Sequence, residues 1–458
     1  MSRVVGWKVA ASKKAASDQL AIEPAFEFSP VEEAVFARAS QEYASLVESS
    51  GAELCATEEL FSKIVRAICA RHSNAGLTAG QEKKIALAAF HSFKGYGCLD
   101  FLLYRPDLEE ITFVGQDKPL YVFSSKKKAW LSTNCFLCSE RFAIAAINRM
   151  AYKSGKRLSF ATPRLDSQLE NGGRLHASCP PISPAGASFS IRLFPAKRMN
   201  MSDLVRLKAI TKDAAAFLWF AMQSDCSMVI AGNTGGGKTT ILNALCDLVG
   251  MRERLVLVED TPELMPMQKH VARLVASKTP VSELVKDTLR MRPDRVFVGE
   301  VRSAPDCKAL FDCLLSGQAR GTYSTFHSDS ADECLGRMRL MGATDHDLGS
   351  LDLIVVARRI PVYDVQSRNG IEVRRVTEIC EVCPQGSTFV AKPIFSYDAK
   401  ADGLAFSGWD GRLRQKIFSC LSNINEADFA MEWQKRAAFL EKKCEGQMAM
   451  RAEEYLFA

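Results

Sequence analysis

The sequence predicts an α/β protein whose main part is a parallel sheet with crossover helices, and three observations lead to this class. The chain has 458 residues, which is long enough for about three domains. Strand and helix patterns alternate from about residue 204 to residue 391, as is typical of parallel sheets. Short apolar runs of the buried-strand kind occur within that stretch, at residues 227–231, 255–258 and 295–298.

Composition and charge exclude several classes of protein. The 59 basic and 53 acidic residues leave a net charge of +6, which is too small to indicate nucleic acid as the main partner. No apolar run approaches the roughly 18 residues that cross a bilayer, and the first residues lack the apolar core of a secretory signal. The 15 cysteines are scattered, as in a reducing compartment. We therefore expect a cytoplasmic protein that is not an integral membrane protein.

Changes of pattern along the chain predict six segments. Apolar residues with helical spacing, such as Leu60, Ile64 and Ile68, precede a region of short β-type runs. Two runs flanking Asn369-Gly370 predict a β-hairpin that ends the α/β domain. In order, we expect a loose lead-in (1–30), a helical N-terminal domain (31–94), an α+β, PAS-like domain (95–194), a linker (195–203), the α/β domain (204–391), and a linker with C-terminal helices (392–458).

A glycine-rich loop after the first buried strand predicts nucleotide binding. It matches G-x-x-x-x-G-K-[ST], and an apolar helical run follows it, so both halves of the required context are present. Backbone N–H groups of such a loop surround a β-phosphate, its lysine reaches the β/γ oxygens, and its Thr239 is the expected Mg²⁺ ligand. The residues expected to bind ATP are Gly232, Asn233, Thr234, Gly235, Gly236, Gly237, Lys238, Thr239 and Thr240.

Acidic residues follow the next two predicted strands. Glu259, Asp260 and Glu263 come after the strand at 255–258, and Glu300 comes after the strand at 295–298. Carboxylates at these strand ends would point into the crevice where the glycine-rich loop lies. There they could hold Mg²⁺ through water or deprotonate an attacking water. The alternative is that they only cap the following helices.

His327 follows a further short β-type run and precedes a capped helix. A histidine at such a place is as consistent with a structural hydrogen bond as with a contact to the terminal phosphate.

Taken in order, these motifs resemble the type II/IV secretion-system ATPases. The residues that carry the resemblance after the loop are Val258–Leu264, Leu289–Asp294, Val298–Arg302 and Ser316–His327. They match the Asp box, the Walker B region with its glutamate, and the His box of that family. The resemblance implies a RecA-like P-loop NTPase domain and extends over about residues 95–382, and it is closest to the archaeal type IV pilus and Tad-like branch.

Upstream motifs resemble the N-terminal domain of the same family, whose two arginines reach the nucleotide phosphates. Carried over, those arginines are Arg174 and Arg192. Arginine suits this task because its guanidinium stays charged and binds phosphate oxygens in pairs. One departure is Gly317-Gln318, where many relatives have Gly-His.

The resemblance implies a homo-hexameric motor that hydrolyses ATP with Mg²⁺ and works on a polytopic membrane platform protein, at the inner face of the cell membrane. Glu263 or Glu300 would handle the attacking water, and the sequence does not choose between them. Two alternatives stay open, a nucleic-acid translocase of the conjugation type and a nucleotide-gated subunit that does not hydrolyse. Nucleic acid is not the expected partner.

Overall fold

A computed structural model of the chain describes residues 5–11, 18–50, 57–71, 76–127, 129–170, 172–193, 198–276, 279–364, 369–421 and 425–442. The chain divides into two compact units, Met1–Lys197 and Arg198–Ala458. Each has its own apolar core, and each is described by itself.

Three helices open the first unit, where the apolar spacing predicts helices. They are α1 (Pro30–Ser50), α2 (Glu58–Arg71) and α3 (Ala79–Phe93). Thr78 caps α3 through a reciprocal capping box with Gln81, which satisfies two backbone donors at the helix start. Buried residues of these helices belong to the same core as the strands that follow. The helical segment and the α+β segment therefore share one core.

An eight-stranded sheet forms the rest of the first unit, in the order β1-β5-β4-β3-β8-β7-β6, with β2 pairing with β5. One helix, α4 (Glu140–Ala151), follows β5. The strands are β1 (Trp7–Val9), β2 (Gln19–Leu20), β3 (Leu108–Phe113), β4 (Pro119–Ser124), β5 (Ala129–Leu137), β6 (Arg164–Gln168), β7 (Arg174–Ser178) and β8 (Ser188–Arg192).

The prediction of a loose lead-in is wrong for residues 7–9. They form strand β1 and pair antiparallel with β5. Trp7 is fully buried, and its indole Nε1 donates to Ser92 Oγ at 2.9 Å. The burial of this large ring holds the segment in place, although so few residues give no periodicity to recognise in the sequence.

A nine-stranded sheet forms the second unit, in the order β11-β10-β12-β13-β9-β14-β15-β16-β17. The strands from β11 to β14 are parallel, and the remaining pairs are antiparallel. The predicted α/β class with a parallel sheet, preceded by an α+β unit, is therefore confirmed. The strands are β9 (Met228–Ala231), β10 (Leu255–Glu259), β11 (Val271–Val275), β12 (Arg295–Val301), β13 (Gly321–Phe326), β14 (Leu353–Asp364), β15 (Asn369–Gln385), β16 (Thr388–Asp398) and β17 (Gly403–Phe406).

Helices cover both faces of this sheet. Alternate residues of β9 belong to two different cores, Met228 and Ile230 to one and Val229 and Ala231 to the other, as expected for a strand buried on both faces. The helices are α5 (Met201–Arg206), α6 (Lys212–Gln223), α7 (Lys238–Cys246), α8 (Val281–Thr288), α9 (Ala304–Ser316), α10 (Ala331–Leu340), α11 (Asp345–Leu348), α12 (Arg412–Cys420) and α13 (Glu426–Glu441).

The predicted polar linker after residue 391 is wrong, because the sheet continues there through β16 and β17. Ile394 and Phe395 are buried, and the Phe395 ring packs on Phe217 of α6, with the ring centroids 5.6 Å apart. Helix α13 also packs on α6, with the rings of Phe220 and Phe429 4.6 Å apart. Arg436 lies over the same Phe220 ring at 3.8 Å. The C-terminal helices are therefore part of the core of the second unit.

The predicted linker at 195–203 is wrong in its second half. Asn200 caps helix α5 through a capping box with Asp203, so the absence of an apolar period reflects a capped helix start. Residues 195–197, including the Lys197 expected to act as a hinge, lie outside the described residues.

The described helices are too short or too polar for a bilayer. None of them combines the length and the apolar character that a membrane span requires.

Candidate functional site

The glycine-rich loop joins β9 to α7 with its glycines in conformations that other residues adopt with strain. Gly232 has φ +149°, and a Cβ there would lie 1.8 Å from the carbonyl oxygen of Ala357 on β14. Gly237 has φ +97° and forms the N-cap of α7. The loop can approach β14 this closely because Gly232 has no side chain.

Lys238 is almost fully buried, with 8% of its surface exposed. Its Nζ donates to the carbonyl oxygens of Gly232 and Asn233 at 3.0 and 3.1 Å. The same Nζ lies 3.4 Å from Nδ1 of His327, which follows β13. The ammonium group is thus held over the loop, where phosphate oxygens could replace the carbonyls as its partners.

A chain of charged side chains continues from His327. Its Nε2 lies 2.7 Å from Glu300 Oε1. Arg302 donates to Glu300 Oε2 from Nε at 2.8 Å and from Nη2 at 2.6 Å. Nη1 of Arg302 lies 2.8 Å from Asp260 Oδ2. Lys238, His327, Glu300 and Asp260, which the sequence predicts as site residues, therefore form one connected cluster through Arg302.

Burial affects the protonation of His327. Burial, followed by the nearby charge of Lys238, lowers the pKa of His327 from its ordinary value of 6.5. The imidazole is therefore neutral at pH 7.

Glu259 at the end of β10 is 1% exposed. Its Oε1 accepts hydrogen bonds from the backbone N–H groups of Glu263 and Leu264 at 2.7 and 2.8 Å. Its Oε2 accepts none within the described residues, and the Nη1 of Arg273 lies 3.6 Å away. Burial raises the pKa of Glu259 above 4.5. One oxygen thus holds the loop after β10, which leads to strand β11 and not to a helix that Glu259 could cap. The other oxygen has no hydrogen-bond donor among the described residues.

Asn243 on α7 joins the phosphate loop's helix to the loop after β10. Its Nδ2 donates to the carbonyl of Glu263 at 2.9 Å, and its Oδ1 accepts from the N–H of Met265 at 2.7 Å. The backbone of Glu263 is therefore fixed at both of its polar groups, by Asn243 and by Glu259.

The β14–β15 hairpin contacts the tip of the phosphate loop. The Asn233 side chain donates to the carbonyl of Arg359 at 3.3 Å and accepts from its N–H at 3.0 Å. Nε of Arg374 donates to the carbonyl of Gly235 at 2.9 Å. Arg359 on β14 and Arg374 on β15 are directly opposite each other in register.

Arg174 and Arg192 belong to the first unit. They are opposite each other on the antiparallel strands β7 and β8, so both lie on the same face of the sheet. Glu110 on β3 is the next residue along this row, opposite Arg192. The two arginines therefore form an adjacent pair on one sheet face.

The residues around the loop fit a nucleotide phosphate and a divalent cation. Gly235 and Gly237 have positive φ angles of +74° and +97°, as in loops whose N–H groups converge on an anion. Oε2 of Glu259 is a buried oxygen without a hydrogen bond among the described residues, and carboxylate and hydroxyl oxygens are the ligands that Mg²⁺ prefers. Thr239 lies at the start of α7 beside Lys238.

Sequence reasoning did not identify Arg302, Asn243, Arg359 or Arg374 as site residues. The arginine pairs 358–359 and 374–375 were a usable signal, because a hairpin that turns between them brings them opposite each other. Placing the turn at Asn369-Gly370 hid this relation, since the structure pairs Asn369 with Asp364. Arg302 lies two residues from its partner Glu300, but its contact with Asp260 is distant in the sequence and has no local signal.

Clusters of metal-ligating side chains are missing from the described part of the chain. Across the ranges that the structure describes, no group of three or more His, Cys, Asp and Glu side chains is arranged to hold a metal ion. The sequence has two C-x-x-C pairs, and Cys135 lies in the first unit whereas Cys380 lies in the second.

A family model matches more than half of the chain. The family model described as "Type II/IV secretion system protein" matches residues 157–422. An uncharacterized protein of Methanocaldococcus jannaschii is 35% identical over 220 residues, which are 45% of this chain and 30% of that protein. The chain thus spans less than a third of that relative's length. A putative conjugal transfer protein of Mycobacterium tuberculosis is 37% identical over 249 residues, 50% of this chain and 69% of that protein.

The ATPase DotB of Legionella pneumophila is one of the solved structures that match the chain. It is 16% identical, with a TM-score of 0.41, over 77% of this chain and 88% of that one.

Proposed function

The chain belongs to the type II/IV secretion system protein family, and from this premise we propose that it is an ATPase that powers secretion or type IV pilus assembly. The observation that carries the proposal is the contact of Lys238 with the loop carbonyls and with His327, which joins it to Glu300. A lysine of a phosphate loop and a strand-end glutamate connected in this way combine phosphate binding with a possible base for water.

In the proposed reaction, the loop N–H groups and Lys238 bind the β- and γ-phosphates of ATP, and Arg174 and Arg192 bind phosphate oxygens as well. Glu300 accepts the proton of the water that attacks the γ-phosphate, and neutral His327 beside it orients Glu300. Mg²⁺, when bound through Thr239 and the acids Glu259 and Asp260, would offset the negative charge of the phosphates. Glu263 remains the alternative base, since its backbone is fixed at the same site.

The proposed form of the protein is a homo-hexamer, cytoplasmic and peripheral at the inner face of the cell membrane through a polytopic platform protein. Rotation between the two units would convert hydrolysis into movement. Co-purification of this chain with the platform protein from membranes tests the proposed partner.

The catalytic assignment is tested by Lys238→Ala. We expect turnover of MgATP to fall by about 100-fold or more, because the group that stabilises charge on the phosphates is lost. Turnover of the Glu300→Gln variant should fall by a similar factor, because an amide cannot accept the proton of the attacking water. Steady-state phosphate release measures both. Unchanged turnover in Lys238→Ala would show that the site is assigned wrongly, and wild-type turnover equal to that of Glu300→Gln would favour a nucleotide-gated subunit that does not hydrolyse.

A second candidate is a conjugation-type nucleic-acid translocase. The name of the Mycobacterium tuberculosis relative, a putative conjugal transfer protein, favours it. Single-stranded DNA would then stimulate turnover strongly, and the stimulation would fall steeply with salt. Turnover that does not respond to DNA would favour the secretion motor.

A further inference from the structure

The tip of the phosphate loop is a turn of residues 233–236, and the β14–β15 hairpin makes hydrogen bonds with both ends of this turn. Within the loop, the N–H of Gly236 donates to the carbonyl of Asn233 at 3.1 Å. From outside, Arg374 Nε donates to the carbonyl of Gly235 at 2.9 Å. Because the peptide bond between Gly235 and Gly236 is planar, its C=O and N–H point in opposite directions. The peptide is therefore bonded on both sides, and Arg374 fixes its orientation.

The start of the same turn is held by the neighbouring strand. The Asn233 side chain makes two hydrogen bonds with the backbone of Arg359, as a paired strand residue would. Gly236 also lies against β14, since a Cβ there would be 2.5 Å from the carbonyl oxygen of Ala357. Backbone contacts of β14 and a side chain of β15 thus define the shape of the loop tip together.

Arg359 and Arg374 are opposite each other in the β14–β15 hairpin, and both lie beside the phosphate loop. The Arg359 side chain lies over Gly235, where a Cβ would be 3.7 Å from its Cδ, and Arg374 Cδ is similarly placed 3.8 Å from a Cβ of Gly237. Like charges directly opposite in a sheet are destabilising, and Glu372 offsets Arg359 at 3.4 Å. A bound anion at the loop would lower this repulsion further.

We propose that Arg374 is a positioning residue for nucleotide binding, which orients the Gly235–Gly236 peptide so that the loop tip has its phosphate-binding shape before the nucleotide arrives. This deepens the proposed function and rests on it. The ligand is a nucleoside di- or triphosphate, as in the proposed function. A preformed loop strengthens its binding because it spares the ordering that phosphate binding would otherwise require.

The matched control is Arg358→Ala. Arg358 is an exposed arginine on the same hairpin, and as the neighbour of Arg359 it points to the other face. It is opposite Arg375, whose Nε and Nη2 lie 2.8 and 2.9 Å from Asp402. Both variants therefore remove one positive charge from one hairpin, but only Arg374→Ala removes a contact with the loop.

Calorimetric titration with MgADP tests the proposal on the full chain. Arg374→Ala should weaken binding by about tenfold, the value of one hydrogen bond from a charged donor, while Arg358→Ala stays within about twofold of wild type. Arg374→Lys keeps the charge without the planar Nε–H, and it should bind more weakly than wild type. The KM for MgATP should rise in parallel, with kcat little changed.

Three outcomes would overturn the proposal. Equal affinities of Arg374→Ala and Arg358→Ala would do so, as would a fall in kcat with KM unchanged. The third is a loss of MgADP affinity in Arg374→Ala that is explained by a lowered melting temperature of the nucleotide-free variant. In that case Arg374→Lys would bind MgADP as wild type does. Failure of wild type to bind MgADP would instead contradict the proposed function itself.

Discussion

Single side chains join motifs that are far apart in the sequence. Arg302 binds Glu300 with two hydrogen bonds and lies 2.8 Å from Asp260. The acids after β10 and after β12 would otherwise repel each other at a strand-end crevice. Arg302 therefore lies between the two carboxylates and offsets their mutual repulsion.

Replacing Arg302 tests this arrangement. We expect Arg302→Ala to lower turnover about tenfold or more, because Oε2 of Glu300 loses two hydrogen bonds from a charged donor, worth about 1.4 kcal/mol or more. Stability should change little, since the Arg302 side chain is 51% exposed. Phosphate release assays and melting curves measure the two effects. Lys308→Ala, which removes an exposed charge on α9, is the control, and equal turnover in the two variants would refute the role of Arg302.

The Glu259→Gln variant distinguishes two roles of Glu259, the structural one of holding the loop after β10 and the proposed one of binding the cation. Glutamine keeps one oxygen for the N–H groups of Glu263 and Leu264, so the loop contacts survive. Burial raises the pKa of Glu259 above 4.5. The contribution of Glu259 to the free energy of unfolding therefore favours the folded state below pH 4.5, and it is lost as the pH rises through the pKa that Glu259 has in the folded protein. We therefore expect the variant to be at least as stable as wild type at pH 7.

Turnover of Glu259→Gln should nevertheless fall at least about tenfold, because a charged ligand for the phosphate-bound cation is lost. Melting curves at pH 7 and phosphate release measure the pair of effects. A variant with wild-type turnover would mean that Glu259 only holds the loop after β10.

The candidate site could be predicted as far as local motifs extend. The loop residues, Glu300 and His327 each follow a recognisable strand, and the structure brings Lys238, Glu300 and His327 together. Arg302 contacts Asp260 and Arg374 contacts Gly235, and the sequence places neither pair together. Their roles depend on tertiary contacts, which local patterns do not contain.

Secondary-structure elements differ in how clearly their sequences reveal them. The buried strands β9, β10 and β12 are apolar runs, and they were predicted. Strand β11 was missed because it is an edge strand with no fully buried residue, so Arg273 interrupts its apolar pattern. Strand β16 was missed because the exposed Lys392 and Pro393 interrupt its apolar residues, although Ile394 and Phe395 are buried. Burial on both faces is therefore what made a strand visible in this sequence.

The contact between the phosphate loop and β14 gives a prediction about stability. Gly232→Ala places a Cβ 1.8 Å from the carbonyl oxygen of Ala357 at a φ of +149°. We expect the free energy of unfolding to fall by about 3 kcal/mol or more, from backbone strain and overpacking together. Urea denaturation measures the change.

Gly336→Ala is the control for this glycine substitution. Gly336 lies in α10, and no other atom lies within 4 Å of the position that a Cβ would take there. Alanine should therefore raise stability by roughly 0.5–1 kcal/mol. A Gly232→Ala variant as stable as wild type would contradict the described approach of the loop to β14.

The two units have separate cores, and this determines what each can do alone. The residues of the two cores in the second unit all lie between 201 and 440, and so does the whole phosphate loop. The C-terminal helices contribute to one of these cores, with Phe429 and Leu440 buried in it. The second unit should therefore fold without the first.

A fragment of residues 198–458 tests this expectation. We predict that it unfolds in one cooperative transition. It should bind MgADP about tenfold more weakly than the full chain, because the proposed phosphate contacts of Arg174 and Arg192 are lost. The full chain with both arginines replaced by alanine should match the fragment. Calorimetric titration measures all three proteins, and equal affinity of fragment and wild type would show that the two arginines do not bind phosphate.

The position of β9 in its sheet has a consequence for biosynthesis. Met228 pairs on one side with Tyr323 and on the other with Leu353, so both neighbours are synthesised long after the strand itself. Contacts so distant in sequence form slowly. During translation the apolar strand has no neighbour to join until β13 has been synthesised, and it lacks its second neighbour until β14 follows from Leu353. We expect nascent chains stopped before that point to need chaperones, while the first unit has already folded behind them.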